Sequence, residues 1–164
     1  MITLRKATEK NWSSIWHLLE PVFRAGETYA FNPEMTEQDA RQVWLSQPLR
    51  TYIAEDRDKR VIGTYYLKPN QQGPGAHVCN CGYIVSTSAR GRGVASAMCD
   101  HSQQEAMALG FQAIQFNSVV STNETAVHLW QKHGFEIVGT LPKAFNHPDH
   151  GMVDTFVMYK TLGT

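Results

Sequence analysis

Gly82-Tyr83-Ile84-Val85-Ser86-Thr87-Ser88-Ala89-Arg90-Gly91-Arg92-Gly93-Val94-Ala95-Ser96 is the stretch whose reading decides the fold. An apolar strand runs into a turn with two glycines, and the turn opens a helix whose first N–H groups have no intrahelical partners. Gly91 and Gly93 let the backbone take positive φ and approach a ligand closely, while Arg90 and Arg92 put charge at the rim. The turn therefore reads as a phosphate cradle. It is not a Walker loop, because the required lysine is missing. The dinucleotide fingerprint is only approached: Ser96 stands at the third glycine, the next strand ends Phe116-Asn117 without an acid, and the motif falls mid-chain. The bland alternative is a turn whose glycines merely satisfy geometry.

The elements on either side follow from periodicity. Residues 2–7 alternate like a first strand. Trp12, Ile15, Trp16, Leu19, Val22 and Phe23 recur at helical spacing, with Thr8 or Asn11 as the cap. A second helix is signalled by Thr36-Glu37-Gln38-Asp39, followed by Ala40, Val43 and Trp44. Between them lies an aromatic loop, Gly26 to Pro33. Thr51 to Glu55 and Val61 to Leu67 read as a hairpin, and His77 to Val85 as the strand entering the glycine turn. The helix after the turn, marked by Val94, Met98, His101 and Glu105, ends at Gly110. A strand at Ala113–Asn117, a helix at Asn123–His133 and strands at Phe135–Gly139 and Met152–Tyr159 complete the chain. The order predicts a mixed α/β fold with a parallel crossover in its middle.

Composition narrows the function. The 164 residues fit one domain, 1–164, and 15 basic against 15 acidic residues give a formal net charge of zero. A neutral chain has no bulk field for nucleic acid or an anionic membrane, so anion binding must come from a local arrangement. The N-terminus lacks a signal peptide's apolar run, and no segment approaches a membrane span. Three cysteines do not make a secreted disulfide framework, which points to a reducing cytoplasm. His77, Cys79 and Cys81 share a strand face, but too few residues match a closed ligand spacing, and no metal is expected.

Arg90-Gly91-Arg92-Gly93-Val94-Ala95 matches Gln/Arg-x-x-Gly-x-Gly/Ala, and Asn123-Glu124-Thr125-Ala126 with Leu129-Trp130-Gln131-Lys132-His133-Gly134-Phe135 follows downstream. With these two motifs the chain resembles the GNAT acyltransferase superfamily over nearly its whole length. The resemblance implies a centrally splayed sheet of about seven strands flanked by four helices, with acetyl-CoA as co-substrate. It also implies a CoA site of Ile84, Val85, Arg90, Gly91, Arg92, Gly93, Val94, Ala95, Ser96 and Asn123. Three further stretches, His77 to Tyr83, Phe116 to Asn123 and Gly151 to Asp154, resemble the proline-analogue (azetidine-2-carboxylate) N-acetyltransferases. By that resemblance Asn80 and Asn117 contact the acceptor, while the resemblance to the superfamily implies that the region of Tyr29 and Phe31 walls the acceptor cleft and that both contact a small substrate. A homodimer is expected by the same analogy.

Acetyl transfer to an amine needs a neutral nucleophile, a polarised carbonyl and a leaving group. The expected oxyanion donor is a backbone N–H near Ile84 or Val85, with the pantetheine arm running beside that strand as an added strand. Where many superfamily members carry a tyrosine that protonates the leaving sulfur, this chain has Trp130, whose indole is no practical acid. A thiol of pKa about 8.5 leaves tolerably as the anion, so the general acid stays unassigned. Glu27, His147, His150 and Asp154 are candidate bases, with Glu27 and Asp154 foremost. The expected reaction is direct acetyl transfer to a small amine, an amino acid or its analogue. The alternatives are another amine (a phosphinothricin-like herbicide, a polyamine or a protein N-terminus) or a non-catalytic acyl-CoA sensor.

Overall fold

The computed structural model describes residues 1–163. Its strands are β1 (Thr3–Lys6), β2 (Arg50–Glu55), β3 (Val61–Pro69), β4 (Val78–Val85), β5 (Ala113–Val120), β6 (Glu136–His147) and β7 (Gly151–Thr161). They form a seven-stranded sheet in the order β1-β2-β3-β4-β5-β7-β6. Neighbours are antiparallel except β4 and β5, which are joined by a crossover helix and run parallel. The helices are α1 (Trp12–Ala25), α2 (Glu37–Arg41), α3 (Val94–Ala108) and α4 (Glu124–Lys132), and α2 runs on into a π-helical turn, Gln42–Ser46.

Each face of the sheet is sealed by one helix pair. α1 and the π-helical turn after α2 bury Ile15, Leu19, Phe23 and Trp44 against Ile53 and Ile84. α3 and α4 bury Val94, Met98, Val127 and Trp130 against Leu67, Ile114 and Met158. Burying each large apolar side chain contributes about 1.5–3 kcal/mol. Buried polar groups between the helices and the sheet pair with one another: Trp44 Nε1 donates to Thr64 Oγ1 at 3.2 Å, and Thr64 Oγ1 donates to the Tyr52 carbonyl at 2.9 Å, whereas Thr155 Oγ1 on β7 is buried without a partner. The expected caps take different roles. Thr36 Oγ1 accepts from the Asp39 amide at 3.1 Å at the start of α2. Thr8 precedes a short 3₁₀ turn, where its amide donates to Asn11 Oδ1 at 2.9 Å, and α1 begins one residue after Asn11 without a side-chain cap bond.

The parallel pair is short. β4 and β5 are in register only at Val78↔Ala113 and Cys79↔Ile114, and beyond that they part. A bulge in β5 helps, because Asn117 and Ser118 lie between the paired positions Phe116↔Met158 and Val119↔Phe156. Several strands are longer than their sequence suggests: β3 runs to Pro69, β5 to Val120, and the last two differ most. β6 runs to His147 rather than Gly139, and β7 starts at Gly151. β6 is an edge strand, mostly exposed and twice bulged against β7, so it carries no period-two pattern and tolerates Pro142.

Candidate active site

Where β4 and β5 part, a cleft of about 1010 Å³ opens. The two strands form its floor, and the loop Glu27–Phe31, the first turn of α3 and one side of α4 wall it.

At one end lies the glycine turn. Gly91 and Gly93 hold φ of 73° and 78°, and a Cβ on either would meet no atom within 4 Å, so the space above the turn is open. Gly93 is the N-cap of α3 with no side-chain cap bond, and the first helical bond runs from the Ala97 amide to the Gly93 carbonyl, 3.0 Å. The amides of Val94, Ala95 and Ser96 are thus left without helical acceptors. Arg90, Gly91, Gly93 and those three residues line the cleft, and so does Asn123, whose Oδ1 accepts from the Ala126 amide at 3.4 Å. Arg92 does not line it; its amide donates to the Ala89 carbonyl at 3.3 Å. Lys132, which sequence reasoning missed, does. Ser96 Oγ lies 2.7 Å from His133 Nε2, and His133 Nδ1 lies 3.0 Å from Asp100 Oδ1, bracing α3 against the end of α4. An anion above this turn would meet unsatisfied amides, the positive end of the α3 dipole and two cationic side chains. The open cradle and its donors fit the diphosphate of coenzyme A.

Along the middle, the free edge of β4 faces the cleft. The Tyr29 hydroxyl accepts from the Tyr83 amide at 2.7 Å and donates to the Tyr83 carbonyl at 2.9 Å. Strand alternation then turns the polar groups of Cys81 and Val85 the same way. Ile84 belongs to the opposite parity, facing Thr64 of β3, as does Ser86, whose amide donates to the Ile62 carbonyl at 2.9 Å. Of the two amides expected as oxyanion donors, only that of Val85 faces the cleft. Burial pushes the Tyr29 phenol and the Cys81 thiol well above their ordinary pKa values, so both stay protonated. Trp130 is a core side chain that also borders the cleft, with its ring 4.8 Å from Tyr83 and 5.0 Å from Phe116.

The far end is built from carboxamides. Asn80 sits one residue past the last paired position, and its Nδ2 donates to the Gln115 carbonyl at 2.9 Å, replacing the ladder bond that the splay removes. Its Oδ1 accepts from the Tyr66 hydroxyl at 3.0 Å. That phenol lies flat against β4 because residue 82 is glycine: a Cβ there would stand 2.6 Å from the ring. Asn117, exposed on the bulge, accepts from Gln115 Nε2 at 3.0 Å and donates to Asn70 Oδ1 at 2.7 Å. Tyr29 and Phe31 stack 5.8 Å apart above this end. Glu27 is the only carboxylate lining the cleft among the described residues.

The other candidate bases lie elsewhere. Asp154 Oδ1 accepts from the Lys143 amide at 2.9 Å, holding the β6 bulge where Lys143 takes a φ of 51°. His147 Nδ1 accepts from the Asp149 amide at 3.1 Å in the β6–β7 turn, beside the ring of His150. Neither Asp154 nor these histidines line the cleft. Cys79, Cys81 and Cys99 are buried free thiols, and no three potential metal ligands come together among the described residues.

Comparison with known proteins agrees with this architecture. The acetyltransferase (GNAT) family model matches residues 12–135, and the chain belongs to that family. It is an acetyl-CoA-dependent N-acetyltransferase. The chain is 26% identical to the N-acetyltransferase aca1 of Schizosaccharomyces pombe over 93% of its own length and 80% of that protein. A GCN5-related N-acetyltransferase from Kribbella flavida superposes with a TM-score of 0.94 at 45% identity, covering 98% of each chain. A phosphinothricin acetyltransferase from Sinorhizobium meliloti, solved with acetyl-CoA, shares the fold at a TM-score of 0.87 and 22% identity, over 99% of this chain and 89% of that one.

Proposed function

We propose that the protein transfers the acetyl group of acetyl-CoA directly to the amino group of a small amino acid or amino-acid analogue, with both substrates held in the one cleft. The observation that carries this reading is the division of the cleft. One end offers unsatisfied helix amides with Arg90 and Lys132, and the other offers Asn80, Asn117 and a single carboxylate. A polyamine would call for several carboxylates, and among the described residues Glu27 alone lines the cleft with one.

In this reading the diphosphate lies over Gly91, Gly93 and the first turn of α3, and the pantetheine arm extends β4 along its free edge. The Val85 amide polarises the thioester carbonyl. Glu27 takes the proton from the attacking amine, directly or through one water, as the C–N bond forms and the C–S bond breaks. The sulfur leaves as thiolate, since Trp130 is no acid. Holding both reactants in one site can supply roughly 7–11 kcal/mol of the barrier. Azetidine-2-carboxylate is the first acceptor to try, because of the motifs around Asn80 and Asn117; phosphinothricin is the second. The free cysteines support the expected cytoplasmic setting, and exposed Val138 and Leu141 on β6 support association as a homodimer.

The test is coenzyme A release across a panel of amino acids, their analogues, polyamines and peptides with free N-termini. Release with amino acids, falling at least tenfold in Glu27→Gln, is expected. Tight acetyl-CoA binding with no acceptor-dependent release would favour a sensor instead.

A further inference from the structure

Lys68 lies near the end of β3, opposite Asn80, and its side chain lines the acceptor end of the cleft. It is half-buried, and its ammonium sits 5.2 Å from the centre of the Tyr66 ring. None of the salt bridges among the described residues engages it. The Tyr66 phenol that supports Lys68 is the one that donates to Asn80, and it is fixed in place by the absence of a side chain at Gly82. A cation held over an aromatic face, beside a network of neutral carboxamides and without a protein anion, is arranged to receive an anion from outside.

That anion is not a phosphate of the donor. Asn80 and Val85 are five residues apart on β4, about 17 Å of strand, which separates Lys68 from the glycine turn. Arg90 and Lys132 already serve the turn end. Tyr83 is only three residues from Asn80, about 10 Å, a gap that the four-carbon lysine stem and a short acceptor can span together.

We propose that Lys68 is a specificity-determining residue that binds the carboxylate of the acceptor, so that the enzyme selects free amino or imino acids over the corresponding amides, esters and simple amines. This rests on the acetyltransferase reading above and names the feature of the acceptor that it leaves open. The cation on β3 holds the carboxylate, and the acceptor's amine is thereby directed along β4 toward Tyr83 and the acetyl group carried by the pantetheine arm.

The experiment compares kcat/KM for L-azetidine-2-carboxylate, L-proline and L-alanine with that for their primary amides, in the wild type, Lys68→Met and Lys68→Arg. The wild type should favour the acids. Lys68→Met should lower the acid-to-amide ratio by about 10- to 100-fold, the size of a charge-assisted contact, with the loss carried by KM. Lys68→Arg should restore most of the ratio, and both variants should keep the wild-type Tm and acetyl-CoA affinity. Equal turnover of acids and amides by the wild type, or an equal loss for both in Lys68→Met, would overturn the proposal while leaving the acetyltransferase reading intact. No coenzyme A release with any acceptor would overturn both.

Discussion

The Tyr29 hydroxyl closes a two-bond bracket on Tyr83, accepting from its amide and donating to its carbonyl, and so occupies the strand edge from which β5 has withdrawn. Without that bracket two backbone groups of β4 would stand open in the cleft. An extended substrate arm lying along β4 needs the same two groups, so Tyr29 and the arm compete. Tyr29→Phe keeps the ring against Phe31 and Trp44 but removes the hydroxyl. We expect it to cost about 1–2 kcal/mol of stability in the free protein and to bind acetyl-CoA several-fold more tightly. Calorimetric titration with a matched thermal melt checks both; weaker binding at unchanged Tm would mean that the hydroxyl holds the substrate.

Gly93 tests the cradle. Its φ of 78° belongs to the left-handed region, and its Cβ position looks into empty space. Gly93→Ala should cost about 1–2 kcal/mol from the backbone alone. Gly93→Val adds bulk where a diphosphate must approach, and should weaken coenzyme A binding at least tenfold more than Gly93→Ala does. Equal affinities for the two variants would show that the turn does not lie under the ligand.

The two asparagines should separate. Asn80 is 6% exposed and satisfies both the Gln115 carbonyl and the Tyr66 hydroxyl. Asn80→Ala strands both partners and should destabilise the fold by about 1–3 kcal/mol while raising the acceptor KM. Asn117 is exposed on a bulge, and Asn117→Ala should raise the acceptor KM with a stability change within about 0.5 kcal/mol. Urea unfolding and steady-state kinetics on both variants distinguish these outcomes; loss of coenzyme A binding alone would move both residues to the other substrate.

These asparagines also mark how far the sequence could be read. Residue type in a strand flags them, because an amide in a pleated strand needs a reason. Which reason depends on a splay and a bulge, both of which arise between strands distant in the chain. The glycine turn, by contrast, is legible because its φ demands are local. The donor-end Lys132 belongs to a segment that reaches the cleft only through tertiary packing, and Lys68 looks like any strand-end lysine until Asn80 is placed opposite it. β6 is longer than its sequence suggests for a related reason: its side chains mostly face solvent, so burial imposes no alternation on them.

Direct transfer predicts inert thiols. Burial pushes Cys99 up to about 12 and Cys81 well above its ordinary value, so neither holds a thiolate at neutral pH. Native protein with iodoacetamide at pH 7.5 should stay unmodified under conditions where the unfolded chain takes up three adducts. Incubation with acetyl-CoA alone should leave no acetyl group on the chain. Intact mass spectrometry reads both, and a stable acetyl adduct on Cys81 would argue for a covalent relay.

His101 predicts a pH dependence of stability on the face opposite the acceptor end. Its Nδ1 lies 2.7 Å from the Tyr65 hydroxyl, its Nε2 lies 4.0 Å from Glu105 Oε1, and the Tyr52 ring packs edge-on at 5.1 Å. Desolvation holds its pKa below the ordinary value, with Glu105 opposing, and burial keeps the Tyr65 phenol protonated. Tyr65 can donate to Nδ1 only while that nitrogen is unprotonated, which places the neutral ring's hydrogen on Nε2, facing Glu105. The folded state therefore favours neutral His101. Its contribution is fully present above the unfolded histidine value of about 6.5 and is lost as pH falls through the lower folded value. His101→Gln keeps an acceptor for Tyr65 without the titration. The Tm advantage of wild type over His101→Gln should shrink between pH 7 and pH 5; an advantage that stays constant or grows would show that the folded protein binds the proton as readily as the unfolded chain does.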